Sequence, residues 1–168
     1  DDCVNSPDGE YIDCDNGPRE DSSIGKLENL KPIFDRREGT ITAGNSSQIT
    51  DGAVSLLLMT EPALEKTGLT PIAKISNHST AGCSPSRMGL GPVGAIKKLQ
   101  INIQKMDLIE INEAFAAQVL ACKKLIEKTL GEIPDEKLNV NGGSIALGHP
   151  VGASGARIVL TLAKELQR

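Results

Sequence analysis

The sequence predicts an α/β fold, and three observations carry that prediction. Short aliphatic runs alternate with longer amphipathic stretches, glycine is abundant at 17 of 168 residues, and aromatic side chains make up 2% of the chain with no tryptophan. An aliphatic core whose backbone packs closely at tight strand-to-helix turns accounts for all three. A hydrophobic content of 39% over this length is enough to bury one sizeable core. One domain is the simplest organisation, because no internal repeat or low-complexity segment interrupts the pattern.

The elements follow in chain order. Residues 1–22 are crowded with Asp, Asn, Pro, Gly and Glu, which suits turns or an extended linker arm, so the folded domain is expected over 23–168. Val54 to Met59 forms the first strand candidate. Pro62 fits a first helical turn, Ala63 to Lys66 continues it, and Gly68 ends it. Ile72 to Ser79 alternates apolar and polar residues as a strand does; the glycine-rich stretch Met88 to Gly94 then leads to a helix over Ala95 to Gln100. Asp107 to Ile111 is a short aliphatic run that hands over at Asn112 to a helix, whose apolar stripe is Phe115, Val119, Cys122 and Ile126. Leu138 to Leu147 leads through glycines to a last helix with the stripe Ile158, Leu162 and Leu166.

Several function classes drop out at this point. A formal charge of −4, mixed in sign along the chain, offers no basic stripe to nucleic acid. No apolar run is long enough to cross a bilayer, and the acidic start lacks the basic and apolar regions of a leader, so no membrane partner is expected. Cys3, Cys14, Cys83 and Cys122 lie at wide, irregular spacings with two histidines to help them; no metal is expected. They read as thiols in a reducing compartment, with Cys122 in the core and a Cys3–Cys14 bridge left open.

Chemistry is expected at the strand-to-helix junctions, since open α/β sheets bind ligands beyond the C-terminal ends of their strands. The second junction, residues 139–157, carries His149 among glycines. A histidine just ahead of a helix faces the positive end of its dipole, an arrangement that favours a neutral ring as base or donor. A packed histidine in a glycine turn is the plainer reading, and an anion site at the helix entry is a third, although the spacing of Gly148, Gly152 and Gly155 matches no phosphate loop. At the first junction Asn112 reads as an ordinary N-cap, and Glu113 as a local hydrogen-bonding group or the partner of a cation.

Taken together, Asn112-Glu-Ala-Phe-Ala-Ala-Gln118, Asn139-Val-Asn-Gly-Gly143 and Gly148-His-Pro-Val-Gly-Ala-Ser-Gly-Ala-Arg157 resemble the thiolase family. Gly17-Pro-Arg19, Leu30-Lys-Pro-Ile-Phe34, Thr42-Ala-Gly-Asn45 and Met88-Gly-Leu-Gly-Pro92 follow the same order as in thiolases, so the resemblance covers nearly the whole chain. It implies the C-terminal half of a thiolase, a βαβαβα sheet with helices on both faces, incomplete at its C-terminal end.

The implied activity is condensation of acetyl-CoA to acetoacetyl-CoA, or thiolytic cleavage of 3-ketoacyl-CoA, through a cysteine thioester. By that resemblance His149 activates the acyl-accepting cysteine and helps form an oxyanion hole, while Asn112 holds the water that is its other donor. Contacts to acyl-CoA and coenzyme A carry over to Arg19, Ile33, Phe34, Ala43, Gly44, Ser47 and Met88, with Ala114 and Phe115 lining the acyl and pantetheine channel. Coenzyme A enters as substrate and product, and no further cofactor is implied. The family's two catalytic cysteines have no match here, and Gln48 replaces a glycine common in the family. The chain is therefore expected to be an inactive piece of a complete thiolase, itself a homodimer or homotetramer of the cytoplasm, the mitochondrial matrix or the peroxisome. The alternative is a non-catalytic thiolase-like domain for binding or assembly.

Overall fold

A computed structural model describes residues 4–5, 8–9, 11–15 and 17–168. Cys3 falls outside them, and the Cys3–Cys14 pairing with it. Within the arm, β1 (Val4–Asn5) pairs antiparallel with β2 (Tyr11–Ile12), so a short hairpin stands where only turns or an extended arm are predicted. Among the described residues six α-helices follow: α1 (Ile24–Glu28), α2 (Glu61–Thr67), α3 (Gly91–Leu99), α4 (Ala116–Leu130), α5 (Ser144–Leu147) and α6 (Val151–Glu165).

The core gathers around α4. Val119, Cys122 and Ile126 recur along one face of that helix and are buried with Val93, Ile103, Ile109, Ile111 and Ile133. This is the aliphatic core that the composition predicts, and α4 packs it against α3 and the 3-10 turn that precedes α3. The helix ends at Gly131, whose φ of +109° a side chain would resist. Beyond it, Glu127 accepts from the Ile133 amide at 3.0 Å and returns the chain to the core.

Residues 109 and 138 bridge in parallel: Ile109 N donates to Lys137 O at 2.8 Å, and Asn139 N donates to Ile109 O at 2.9 Å. Two parallel segments joined through α4 make a β-α-β crossover, the unit on which α/β sheets are built. The predicted strands at 54–59 and 72–79 do not form ladders. Apart from a bend at Ile72, both runs are without helix or turn, yet Leu57, Leu58 and Ile75 are exposed. A strand exists only through backbone hydrogen bonds to a neighbouring strand, and among the described residues these runs have none. The long-range hydrogen bonds of 72–79 are side-chain ones, from Gln167 Nε2 to Ile72 O and from Ser79 Oγ to Ala95 O.

Three helix boundaries also differ from prediction. The third helix starts at Gly91 rather than Ala95, because Pro92 fits its first turn, and Gln100 closes it in the left-handed region. Asn112 is not the N-cap of α4; Phe115 holds that position without a side-chain bond. On α6 the buried residues are Ser154 and Ala163, while Leu166 of the predicted stripe lies at the exposed C-cap.

Candidate functional site

Asn139 ties the two junctions together. Its backbone sits at φ +49°, and its side chain reaches across to the segment that enters α4. There its Oδ1 accepts from Ile111 N at 2.8 Å, and its Nδ2 donates to Ile111 O at 2.9 Å. A side-chain amide thus supplies one more rung to the parallel bridge at 109 and 138. The segment entering α4 and the loop leading to His149 are fixed side by side.

Asn112 and His149 meet across this seam, with Asn112 Nδ2 3.3 Å from His149 Nε2. Their neighbours decide which atom donates. Ser154, buried on the first turns of α6, gives its hydroxyl proton to Pro150 O at 3.1 Å and stands 2.6 Å from His149 Nδ1. Assigning that proton to Pro150 O makes Ser154 the acceptor of Nδ1–H and the Nε2 lone pair the group that faces Asn112. Ser144, fully buried, donates to Asn112 Oδ1 at 2.6 Å and fixes the amide so that Nδ2 points at the ring. Arg157 in turn donates to Ser144 Oγ at 3.4 Å. The result is a one-way relay from Arg157 through Ser144, Asn112, His149 and Ser154 to the Pro150 carbonyl. It presents a basic ring nitrogen and an amide donor side by side.

Glu113 neither bonds locally nor pairs with a cation among the described residues; its partners lie 26 and 32 positions along the chain. Its Oε1 accepts from Asn139 Nδ2 at 3.0 Å and its Oε2 from Ile145 N at 3.3 Å. Nearby, burial pushes the Glu110 carboxyl above the ordinary range, the Arg157 charge opposes that shift, and Glu113 adds to it.

The residues expected at coenzyme A fall into three groups. Arg19, Ala43 and Gly44 line one cleft of about 760 Å³, together with Lys26, Leu27 and Gln48. Gly44 abuts Leu27 and Leu30, where a larger residue would collide. Ser47, Ala114, Phe115 and Phe34 gather beside it: Ser47 N donates to Ala114 O at 3.0 Å, residues 46 and 115 bridge antiparallel, and the Phe34 and Phe115 rings meet edge to face at 6.1 Å. Ile33, whose amide donates to Ile41 O at 2.9 Å, belongs to the same loop as Phe34. Met88 stands apart on the turn before α3, exposed and outside the cleft. His149 is linked to the cleft by its amide, which donates to Gln48 O at 3.0 Å, and Gln48 Nε2 donates to Gly17 O at 3.0 Å.

The sequence pattern alone does not single out Ser154, Ser144, Asn139 or Arg157. Ser154 had a readable signal, since a hydroxyl near the start of a helix lies within reach of a histidine just before it. The other three act across gaps of 13 to 32 residues that only the fold closes.

Fold and site together define an α/β protein in which two strand-to-helix junctions converge on a histidine–asparagine pair. A model of the thiolase C-terminal domain matches residues 69–168, and one of the thiolase N-terminal domain matches residues 3–62. The chain belongs to the thiolase family. A 3-ketoacyl-CoA thiolase of Vibrio vulnificus (strain YJ016) is 48% identical over 155 residues, which are 90% of this chain and 40% of that protein. The crystal structure of human mitochondrial 3-ketoacyl-CoA thiolase in complex with CoA superposes with a TM-score of 0.80 at 42% identity, over 95% of this chain and 40% of its own. The dimeric peroxisomal thiolase of Saccharomyces cerevisiae gives 0.84 at 41% identity, over 97% and 41%. The fold is thus thiolase-like α/β, and the chain spans about 40% of the length of the relatives it matches. Among the described residues no helix is long and apolar enough to cross a membrane.

Proposed function

We propose that this chain is part of a 3-ketoacyl-CoA thiolase and supplies its base and oxyanion donors, while the reacting cysteines come from elsewhere in the enzyme. The observation that carries the reading is the Asn112–His149 pair, with a lone pair on Nε2 and an amide donor 3.3 Å away. In this reading Nε2 takes the proton of a cysteine thiol, and the thiolate attacks the 3-keto carbon of the substrate. The C2–C3 bond breaks, and the electron pair passes into the thioester enolate of the departing acetyl-CoA. The ring, now protonated at Nε2, and a water held by Asn112 donate to that enolate oxygen. A second thiol protonates the enolate carbon and, as a thiolate, takes the proton of coenzyme A. The coenzyme A thiolate attacks the acyl-enzyme carbonyl, the shortened acyl-CoA leaves, and the expelled cysteine thiolate recovers its proton from Nε2. One proton transfer thus turns the base into a donor.

In this reading coenzyme A occupies the cleft beside Arg19, Ala43 and Gly44, with Ile33, Phe34, Ser47 and Met88 as further contacts and Ala114 and Phe115 along the acyl channel. It serves as substrate and product, without another cofactor. The complete enzyme works as a homodimer or homotetramer in a reducing compartment, whether bacterial cytoplasm, mitochondrial matrix or peroxisome.

The test is thiolysis of acetoacetyl-CoA and of a long-chain 3-ketoacyl-CoA by the full-length enzyme and by the 168-residue chain. Acetyl-CoA release by the full-length enzyme, and none by the chain alone, is expected. A homogeneous full-length enzyme inert toward both substrates would overturn the proposal in favour of a binding or assembly domain, and thiolysis by the chain alone would overturn its division of labour.

A further inference from the structure

We infer that Glu113 is a positioning residue for His149, a carboxylate clamp that sets the distance between the two junctions of the site; the catalytic half of this inference rests on the proposed thiolase activity.

The argument starts from α5, a helix of four residues whose N-cap is Gly143. Glycine has no side chain with which to hold the unpaired amides of a first turn, so a partner must come from elsewhere. Glu113 provides it, with Oε2 accepting from Ile145 N at 3.3 Å. The hold then passes along the backbone toward the histidine: Gly148 N donates to Ser144 O at 2.9 Å and closes α5, and His149 N donates to Gln48 O at 3.0 Å. The other oxygen of the same carboxylate accepts from Asn139 Nδ2, the group that forms the side-chain rung with Ile111. Glu113 is also the chain neighbour of Asn112. One carboxylate therefore grips the entry to the histidine loop, the middle of that loop and the backbone that carries the amide donor.

Gly143 supports this independently. Its φ and ψ, both −159°, are extended backbone open to any residue, so conformational freedom does not explain a glycine there. The reason is space: a Cβ at Gly143 would run into the Glu113 carboxyl carbon and both its oxygens. The backbone comes this close because the carboxylate lies directly against it.

Three variants of the full-length enzyme test the clamp. Glu113→Gln keeps the shape but replaces one acceptor with a donor, so either Asn139 or Ile145 faces an N–H. It is expected to lower kcat at least tenfold with KM for the CoA thioester within twofold, the signature of displaced catalytic geometry. Amide exchange over residues 143–148 is expected to speed up at least tenfold. Gly143→Ala should do the same by pushing the carboxylate away, and the double variant Glu113→Asp/Gly143→Ala, whose shorter acid leaves room for the methyl, should recover at least fivefold of the lost kcat. An Ile126→Val control reports any loss due to weakened packing alone.

A Glu113→Gln enzyme with kcat within twofold, a fall in kcat without faster exchange, or a double variant no better than Gly143→Ala would each overturn the inference. Should Gly143→Ala not fold, Glu113→Gln decides alone. A wild-type enzyme without thiolysis would sink the proposed function, and amide exchange would still decide the clamp.

Discussion

Ser154→Ala isolates the tautomer of the histidine from its presence. In the native relay, Ser154 Oγ lies 2.6 Å from His149 Nδ1, and its own proton is engaged by Pro150 O. Ser154 is 3% exposed, so water cannot readily replace the hydroxyl once it is removed. The variant leaves a buried N–H without an acceptor, a loss of about 1–3 kcal/mol. That energy bears on one choice, whether the ring proton stays on Nδ1 or moves to Nε2 and blocks the base. At about 1.4 kcal/mol per tenfold in rate, the expected fall in kcat for 3-ketoacyl-CoA thiolysis is about 5- to 150-fold. KM should hold within twofold, since no proposed coenzyme A contact involves Ser154. The assay is steady-state thiolysis by the full-length enzyme, with a melting curve alongside. A variant with wild-type kcat and a lowered melting temperature would show that Ser154 only braces α6, and the directional relay would be wrong.

Other substitutions probe different links of the chain. His149→Ala removes base and donor together and is expected to lower kcat at least about a thousandfold with coenzyme A binding little changed, whereas Asn112→Ala should be milder; equal kcat for His149→Ala and wild type would mark a packing histidine. Ile126→Ala, at a fully buried position, is expected to lose about 2–5 kcal/mol in urea unfolding, and a loss below about 1 kcal/mol would contradict its place in the core. The exposed Cys83 should be alkylated by iodoacetamide in the native state, whereas Cys122, whose thiol burial pushes up and which donates to Gly89 O at 3.0 Å, should react only on unfolding; peptide mapping distinguishes the two.

What the sequence made legible, and what it hid, follows from the range of each interaction. The stripe of Val119, Cys122 and Ile126 is local, and α4 lies where that periodicity puts it. Strands at 54–59 and 72–79 depend on neighbours that a linear pattern cannot supply, and in the structure those runs remain unpaired. Asn112 reads as a helix cap because Asn is the usual residue there, yet the cap falls to Phe115 and the amide turns to a histidine 37 positions away. The motifs identify His149 and Asn112. The hydroxyls and charges that orient them are generic residue types, and their roles exist only through contacts the fold creates.

The side-chain rung between Asn139 and Ile111 also bears on how the site comes into being. The residues it joins are 28 apart, with all of α4 in between, so closing that loop carries an entropic penalty that the rung alone does not offset. The rung can form only when the segments on either side of α4 lie together, so it depends on both packing into the core through Ile109, Ile111 and Ile133. The Asn112–His149 contact is therefore conditional on that core, and a substitution that loosens the core is expected to loosen the pair without touching it.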